Sequence, residues 1–569
     1  MINTLSTLDW IIIASYMLLM CAIGVSMKKR AEDGIIHFFN GGRNIPWWLA
    51  GISMVATTFA ADTPLAVTGI IASSGIAGNW IWWNFMCSGI ITVFLYSKLW
   101  HRAGVTTDVE FISIRYSGLS AKYLRGFRAL YLALPINCII LGWVTVGMSK
   151  VLQVITGAPQ WQIIIFLYLI TTIYIAISGI WGVVSTDFFQ FFVAMFGSII
   201  LMSYSLDLVG GMNGLINQFS NLFGNNHSYF QFSPLNHPKI MISTALVWIG
   251  MQWWAAWYPG AEPGGGGYIA QRMFSTKSDK DAVKATLLFN IAHYAIRPWP
   301  WIIVALVSLV VYPGIDDPEI GYPLLMVKLL PSGLLGLLLV SFISAFMSTI
   351  STHLNWGASY IVNDFYIPFV RPRNSFDNKN KAEEHYIFIS RLSTIIMMGI
   401  AICISWFFDS VKGGWELILS LGAGTGLVYM LRWYWWRINA WSEISAMSAA
   451  LIGSILSNYI GYTNFSDKMI FTTIFTTIVW IVITLVTKPE SNENLKAFYN
   501  KIKPSGPGWK NINPDYESIF PLLFSSILGI ITIQGFLFGS GKIIFGELLI
   551  GFSWIILSIL SLFILLKRI

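Results

Sequence analysis

Charged residues are scarce in this sequence, and their scarcity excludes a soluble globular protein. Only 11% of the 569 residues are charged, whereas 55% are hydrophobic. A soluble fold needs a polar exterior that this composition does not supply. Apolar runs of about 20 residues, which suffice to cross roughly 30 Å of hydrocarbon as helices, recur along the whole chain. The composition therefore predicts an all-α polytopic membrane protein.

Cysteines are few, and nucleotide-binding motifs are lacking. The four cysteines, Cys21, Cys87, Cys138 and Cys403, all lie in apolar runs, which indicates neither a disulfide framework nor a zinc site. The glycine run 264–267 lacks the Lys-Ser/Thr pair of a phosphate-binding loop. No segment is long enough for a soluble catalytic domain. We therefore expect neither an enzyme nor coupling to ATP.

The apolar windows number about fifteen, and the basic residues indicate their orientation. The windows lie near 8–27, 46–72, 77–100, 127–153, 160–178, 183–206, 239–258, 284–312, 332–363, 386–411, 413–437, 444–462, 467–487, 519–538 and 543–566. With the N-terminus outside, most of the 35 Lys and Arg residues fall in inner loops, as membrane proteins require. We therefore expect a multi-pass protein of the inner (plasma) membrane, without a nucleic-acid partner or an obligatory protein partner.

A run of hydroxyl residues inside one apolar span, 341–353, is the most informative motif. Its small and hydroxyl residues cluster on adjacent helix faces: Ala345, Ser348, Thr349, Ser351 and Thr352. Uncharged oxygen ligands suit a hard monovalent cation such as sodium. The alternative is that these hydroxyls only bond to the preceding turn or permit close helix packing.

Two spans are interrupted at membrane depth. In the span 46–72, Pro64 cannot donate to the carbonyl of Ala60 and clashes with it, so we expect local unwinding that frees backbone oxygens. The segment 259–267, rich in glycine and proline, interrupts a second apolar stretch. Interrupted spans in corresponding positions of two halves favour a secondary transporter with an inverted repeat and a midplane site. The alternative is two unrelated kinks in a channel or membrane enzyme.

Several short segments resemble one family of carriers. The segments are Arg43-Asn-Ile-Pro-Trp-Trp-Leu-Ala-Gly-Ile-Ser53, Ser178-Gly-Ile-Trp-Gly-Val-Val-Ser-Thr-Asp187, Tyr268-Ile-Ala-Gln-Arg272, and Ser344-Ala-Phe-Met-Ser-Thr-Ile-Ser-Thr352 followed by Asn363-Asp-Phe-Tyr366. Together they are similar to the sodium:solute symporter family, which includes bacterial sodium/sugar, sodium/proline and sodium/sialate symporters. The resemblance covers roughly residues 8–437.

This resemblance implies a core of five helices followed by five inverted ones, with one leading and about four trailing transmembrane helices. The expected divisions are a leading helix with the first inner loop (1–45), the first repeat (46–206), an outer loop (207–238), the second repeat (239–437), two accessory helices (438–487), a basic inner segment (488–518) and a C-terminal helix pair (519–569).

The resemblance also implies sodium as the coupling ion. The family's usual sodium site matches the carbonyls of Ala56, Phe59 and Ala345 and the hydroxyls of Ser348 and Thr349. A second sodium site, present in some members, matches Asp187, Ser348, Ser351 and Thr352, which favours two ions per cycle. The alternative for Asp187 is that its carboxylate caps the start of a helix.

Polar and aromatic residues near the two interruptions are candidate solute ligands. They are Thr58, Asp62, Thr63, Trp83, Asn84, Asn137, Gln252, Trp253, Trp257, Tyr258 and Glu262, together with His293 and Arg297 in the eighth span. Asp62 alternatively has a purely structural role. Arg297, the only basic side chain that this topology places within a span, either pairs with Glu262 or Asp62 or receives a substrate carboxylate.

These candidates favour a particular function. Aromatic rings combined with amides and acids suit a sugar-like, polyhydroxyl solute. We therefore expect a sodium-coupled symporter that imports a small polar solute across the lipid bilayer by alternating access. The alternatives are a sensor or channel that keeps the fold without coupled transport, and an importer of a carboxylate or an amino acid.

Overall fold

The computed structural model describes residues 5–31, 41–256, 258 and 262–568. Helices make up most of these ranges, where β-type pairing is limited to one bridge between Ile45 and Thr276. The predicted all-α class is confirmed. Trp257, a candidate solute ligand, and residues 259–261 of the second interruption lie outside the described residues.

Eight helices within the described ranges are long and apolar enough to cross a membrane, or ten if each of two bent helix pairs counts as one span. The sequence predicted about fifteen. The difference arises because several predicted spans form shorter or broken helices, such as Ile242–Val247, which passes through a π-helical segment into Trp253–Ala255. The polytopic character of the chain is nevertheless plain.

The first predicted repeat begins with a helix broken into two halves. We name Trp47–Thr58 the first half-helix and Thr63–Ser74 the second half-helix. The direction of the chain bends by 55° between them. Pro64 occupies the first turn of the second half-helix, where a proline's missing N–H costs nothing. The predicted interruption therefore exists, but it lies just before Pro64, at Phe59 to Asp62, because the proline starts a helix there.

The rest of this repeat is helical almost throughout. Its helices are Trp80–Trp83, Phe85–Ile91, Ser97–Ala103, Phe111–Arg115, Gly118–Tyr131, Asn137–Thr156 and Gln160–Leu208. The last of these, which we name the long helix, has 49 residues and joins the two spans predicted at 160–178 and 183–206. Gly179 and Gly182 permit a break between those spans, but no proline forces one.

The second predicted repeat contains the second interruption. Its helices are Ile242–Val247, Trp253–Ala255, Gly267–Ser275, Asp279–Ile291, Pro298–Val311, Gly321–Leu329, Leu334–Ser359, Lys379–Ser405, Val411–Gly422 and Gly426–Tyr434. We name Leu334–Ser359, which carries the hydroxyl run, the hydroxyl helix. On the two sides of the second interruption, one helix ends at Ala255 and the next begins at Gly267.

A further break was not predicted. Val411–Gly422 and Gly426–Tyr434 meet at 49° within the expected span 413–437. Gly424 has φ +87°, a conformation that glycine adopts readily, and its N–H donates to the carbonyl of Ala255 at 3.0 Å. The unpredicted break therefore contacts the end of the helix that precedes the second interruption.

Helices outside the repeats pack against the core. The leading helix is Thr7–Ala31, and the trailing helices are Ala440–Ile460, Phe465–Val486, Asn492–Ile502, Phe520–Ile544 and Leu548–Arg568. Asp9 of the leading helix accepts hydrogen bonds from the N–H groups of Gly333 and Gly336, at 2.8 and 2.7 Å. This carboxylate satisfies free N–H groups at the start of the hydroxyl helix and fixes the leading helix to it.

Candidate ion and solute site

The end of the first half-helix lies against the hydroxyl helix. The hydroxyl of Thr349 donates to the carbonyl of Thr57 at 2.9 Å, and the hydroxyls of Thr57 and Thr352 are 3.4 Å apart. The backbone turns away immediately afterwards, since Phe59 has φ −84° and ψ 63°. Helix-terminal carbonyls of one element and hydroxyls of another therefore lie within bonding reach, as a shared sodium site requires.

The residues expected at the first sodium site are all on these two segments. Ala56 and Phe59 are each 2% exposed, at the end of the first half-helix, and Ala345 is 3% exposed, one turn before Ser348 and Thr349. Burial excludes competing water, and small side chains such as alanine leave the backbone carbonyls accessible to an ion. The structure thus brings the two halves of the expected ligand set together.

Asp187 lies beside the same hydroxyl helix. Its two carboxylate oxygens accept hydrogen bonds from Ser53 of the first half-helix and Ser348 of the hydroxyl helix, each at 2.5 Å, and it is fully buried. The residue lies well inside the long helix, so the alternative that it caps a helix start is wrong. Its carboxylate instead links three helices.

The other two residues expected at the second sodium site make different contacts. Ser351 donates to the carbonyl of Ser348, on its own helix, at 3.0 Å. Thr352 accepts a hydrogen bond from the guanidinium of Arg272 at 3.2 Å. The hydroxyl of Ser351 therefore retains its lone pairs for an ion. One lone pair of the Thr352 hydroxyl already accepts the hydrogen bond from Arg272.

Arg297 is not the only basic side chain buried in this protein. Arg115, Arg128, Arg272 and Arg432 are each no more than 1% exposed as well. The sequence assigned all four to inner loops, because they stand next to polar segments. The structure buries them because each finds a carbonyl, hydroxyl or carboxylate partner, such as Glu443, 2.8 Å from Arg128.

A cavity of about 70 Å³ lies next to the break in the first span. It is lined by Thr57, Thr58, Ala60, Asp62, Thr63, Ile81, Trp82, Phe85, Ile140, Trp143, Val144, Tyr258, Tyr268, His293, Tyr294, Arg297, Thr349, His353, Trp415 and Leu419. Thr57 and Thr349, the pair that joins the first half-helix to the hydroxyl helix, are among these residues. The cavity and the candidate sodium site therefore share a wall.

Some of the predicted solute ligands line this cavity and others do not. Those in the lining are Thr58, Asp62, Thr63, Tyr258, His293 and Arg297. Those outside the lining are Trp83, Asn84, Asn137, Gln252, Trp253 and Glu262. The amide of Asn84 donates to carbonyls of its own helix. A direct contact between these outer residues and a solute in this cavity would require rearrangement.

Two of the outer residues hold lining residues in place. Asn137 donates to the carbonyl of His353 at 2.8 Å, and its side-chain oxygen lies 2.6 Å from the His353 ring nitrogen Nδ1. Gln252 donates to the carbonyl of Ile81 at 2.7 Å. Both amides therefore act on the shape of the cavity through the residues that they fix.

The expected ion pairs of Arg297 do not form. No acidic oxygen of the described residues lies within 4.0 Å of its guanidinium, which donates to the carbonyl of Val55 at 3.2 Å. The guanidinium also lies over the ring of Trp301, 4.9 Å from its centroid. Glu262 lies instead 3.5 Å from Arg128. Arg297 is thus held by the first half-helix and an aromatic ring.

Several cavity residues were not identified from the sequence. They are Thr57, Trp82, Phe85, Trp143, Tyr268, Tyr294, His353 and Trp415, besides the aliphatic residues. Tyr268 opens one of the family-like segments, and Tyr294 follows His293, so a local signal existed for these two. Trp143 and Trp415 come from spans in which the sequence indicated no break and no polar motif, and only the packing of those spans brings them here.

Similarity to solved structures defines the class of fold. A sialic acid symporter, solved as the "Substrate-bound outward-open state of a Na+-coupled sialic acid symporter", superposes with a TM-score of 0.69 at 20% identity. The match covers 85% of this chain and 99% of that one. The fold is therefore that of a membrane transporter.

The family follows from the sequence comparison. Residues 38–453 match the profile of the Sodium:solute symporter family, and the chain belongs to that family. The Vibrio parahaemolyticus sodium/glucose cotransporter is 23% identical over 85% of this chain and 91% of its own length. The human sodium/myo-inositol cotransporter 2 is 23% identical over 79% of this chain and 70% of its own length. The protein is thus a membrane transporter with sodium as its coupling ion, and not an enzyme.

Proposed function

We propose that this protein imports a small polar organic solute by coupling its uptake to sodium entry through alternating access, with a sugar-like solute favoured. The observation that carries this proposal is the contact between Thr349 and Thr57 at 2.9 Å, because both residues line the solute cavity and belong to the segments that supply the sodium ligands. An ion bound there stabilises the wall against which the solute binds. A ligand that favours one arrangement of the two segments shifts the equilibrium between arrangements.

Two sodium ions per cycle are the proposed stoichiometry. The first is held by Ala56, Phe59, Ala345, Ser348 and Thr349, and the second by Asp187, Ser348, Ser351 and Thr352. A tenfold sodium gradient supplies about 1.4 kcal/mol per ion, and a charge that crosses 100 mV adds about 2.3 kcal/mol. Two ions thus provide roughly 7 kcal/mol for solute accumulation.

The chemistry of the cavity supports a polyhydroxyl solute. Trp82, Trp143 and Trp415 offer ring faces, while Asp62 and His293 offer polar groups at the rim. Sugar and cyclitol transport by the relatives named above agrees with this choice. Arg297 favours a carboxylate or amino acid as the second candidate, because its guanidinium has no acidic partner among the described residues.

Solute-dependent sodium uptake tests the function. The purified full-length protein in proteoliposomes would be given sodium-22 with single members of a panel of sugars, cyclitols, amino acids and monocarboxylates. We expect one class to accelerate sodium entry, and that solute to accumulate only when a sodium gradient is present. Equal sodium flux with and without every solute would instead support the channel or sensor alternative.

The proposed topology has the N-terminus outside, repeats at 46–206 and 239–437, and the loop 207–238 on the outer face. Asn225 and Asn374 are exposed residues of loops that this topology places on opposite sides. In a cysteine-free background, Asn225→Cys in intact cells is expected to react with a membrane-impermeant maleimide. Asn374→Cys is expected to react only after the membrane is permeabilised. The reverse pattern would contradict the orientation.

A further inference from the structure

Arg272 places a permanent positive charge next to the proposed second sodium site. It lies on the helix Gly267–Ser275, which follows the second interruption, and is 1% exposed. Its guanidinium donates to the hydroxyls of Ser53 at 3.3 Å and Thr352 at 3.2 Å. It also donates to the side-chain oxygen of Gln271 at 2.7 Å. An arginine keeps its charge at any pH that a protein tolerates.

Asp187 and Arg272 are connected through one hydroxyl group. Ser53 donates to the Asp187 carboxylate at 2.5 Å and accepts from Arg272 at 3.3 Å. The two charges are both buried, and they balance each other without a direct ion pair among the contacts within 4.0 Å. A buried carboxylate is strongly destabilising unless a positive charge neutralises it. Arg272 supplies that charge in this arrangement.

A sodium ion at the second site would meet this guanidinium. Thr352 is one of the proposed ligands of that ion and already accepts from Arg272, and the carboxylate of Asp187 would serve two cations at once. Two positive charges a few ångströms apart in a medium of low dielectric constant repel each other strongly. The ion and the guanidinium therefore compete for the hydroxyl of Thr352 and for the negative charge of Asp187.

We propose that Arg272 is a tethered competitor of the second sodium ion, which binds by displacing the guanidinium from Ser53 and Thr352. This inference rests on the proposed function. It makes Arg272 a positioning residue, since its own contacts join the helix Gly267–Ser275 to the first half-helix and the hydroxyl helix. Sodium entry thereby removes the contacts of Arg272 with the first half-helix and the hydroxyl helix, and the amide of Gln271 still donates to Asn355 of the hydroxyl helix at 3.5 Å.

The start of the same helix is held by a separate contact. The N–H of Gly267 donates to Asp108 at 3.1 Å, and the hydroxyl of Tyr360 donates to the other oxygen of that carboxylate. Displacement of Arg272 would leave this contact between Gly267 and Asp108 in place. The second ion thus acts on an element that the first ion does not touch.

Sodium binding without any solute tests the proposal. Purified full-length protein would be titrated with sodium chloride at constant ionic strength, with choline chloride as the replacement salt, and sodium-22 binding would be measured. Arg272→Gln removes the competing charge. We therefore expect the sodium concentration for half-saturation of the second site to fall by at least about fivefold relative to the unaltered protein, which is the lower end of usual coupling between two ligands. Arg272→Lys keeps the charge. Its sodium concentration for half-saturation is expected to stay within about twofold of that of the unaltered protein.

Arg125 provides a matched control. It also neutralises a fully buried carboxylate, that of Asp364 at 2.7 Å, away from the candidate ion site. Arg125→Gln is expected to leave the sodium affinity unchanged. Unchanged or weakened sodium binding in Arg272→Gln would overturn the proposal, because a purely structural arginine gives no gain in affinity.

If Arg272→Gln does not fold, a structure of the unaltered protein with bound sodium tests whether the ion displaces the guanidinium. In a structure of the unaltered protein at saturating sodium, we expect the guanidinium of Arg272 to lie beyond hydrogen-bond distance of Thr352. A retained contact with a sodium ion present at the second site would overturn the proposal. Failure of the proposed function would appear differently, as an absence of solute-dependent sodium uptake in the unaltered protein.

Discussion

Ser348→Ala is expected to raise the sodium concentration for half-maximal uptake by about tenfold or more. The hydroxyl of Ser348 belongs to both proposed ion sites and donates to the buried carboxylate of Asp187 at 2.5 Å. Its removal takes one ligand from each ion and one hydrogen bond from the carboxylate. A hydrogen bond to a charged group contributes about 1.5 to 3 kcal/mol, and about 1.4 kcal/mol corresponds to a tenfold change in affinity.

Ser341→Ala is the matched control for this change. Ser341 is on the same helix and equally buried, but its hydroxyl donates to the carbonyl of Leu338 on its own helix at 2.7 Å. We expect its sodium dependence to stay close to that of the unaltered protein. Sodium-22 uptake at a series of sodium concentrations measures both variants. An equal shift in the two would show that the helix, and not the ion site, is affected.

Asp62→Asn is expected to raise the solute concentration for half-maximal uptake by about tenfold or more while the sodium requirement changes little. Asp62 lies at the break of the first span and lines the cavity, and one of its carboxylate oxygens is buried without a hydrogen-bond partner. Burial of such an oxygen costs free energy unless a ligand donates a hydrogen bond to it. The substitution keeps the shape of the side chain and removes the charge that strengthens this bond.

Thr68→Val is the control for the solute prediction. Thr68 is buried one and a half turns further along the second half-helix, and its hydroxyl donates to the carbonyl of Pro64 at 2.7 Å. Valine has nearly the same shape, so uptake is expected to keep its solute dependence. Initial rates at fixed sodium and varied solute separate the cases. A normal solute dependence in Asp62→Asn would show that this carboxylate serves the structure only.

Features that depend on neighbouring residues were predictable from the sequence. The interruption before Pro64 follows from proline's missing N–H, and the apolar runs follow from the length of helix needed to cross a bilayer. The hydroxyl run 341–353 was also recognisable, because the spacing of its residues determines which of them share a helix face. These local rules predicted a carrier with an ion site on this helix.

The position of the break within its span was predicted less well. The sequence placed Pro64 in the middle of the apolar stretch as a cause of local unwinding, yet it stands in the first turn of the second half-helix. A proline both ends one helix and starts another, and the sequence does not say which role a given proline takes. The glycine at 424 likewise permits a break that only its contact with Ala255 reveals.

The sequence by itself determined that this chain spans a membrane, belongs among sodium-coupled carriers, and carries a run of hydroxyl residues and an interrupted span. Only the tertiary structure decided that Asp187 lies inside a helix with Ser53 and Ser348 as partners, and that Arg272 donates to the hydroxyl of Ser53. The reason is physical. Helical periodicity is a local property, whereas the partners of a buried charge come from helices distant in sequence, and their packing alone determines which charges meet.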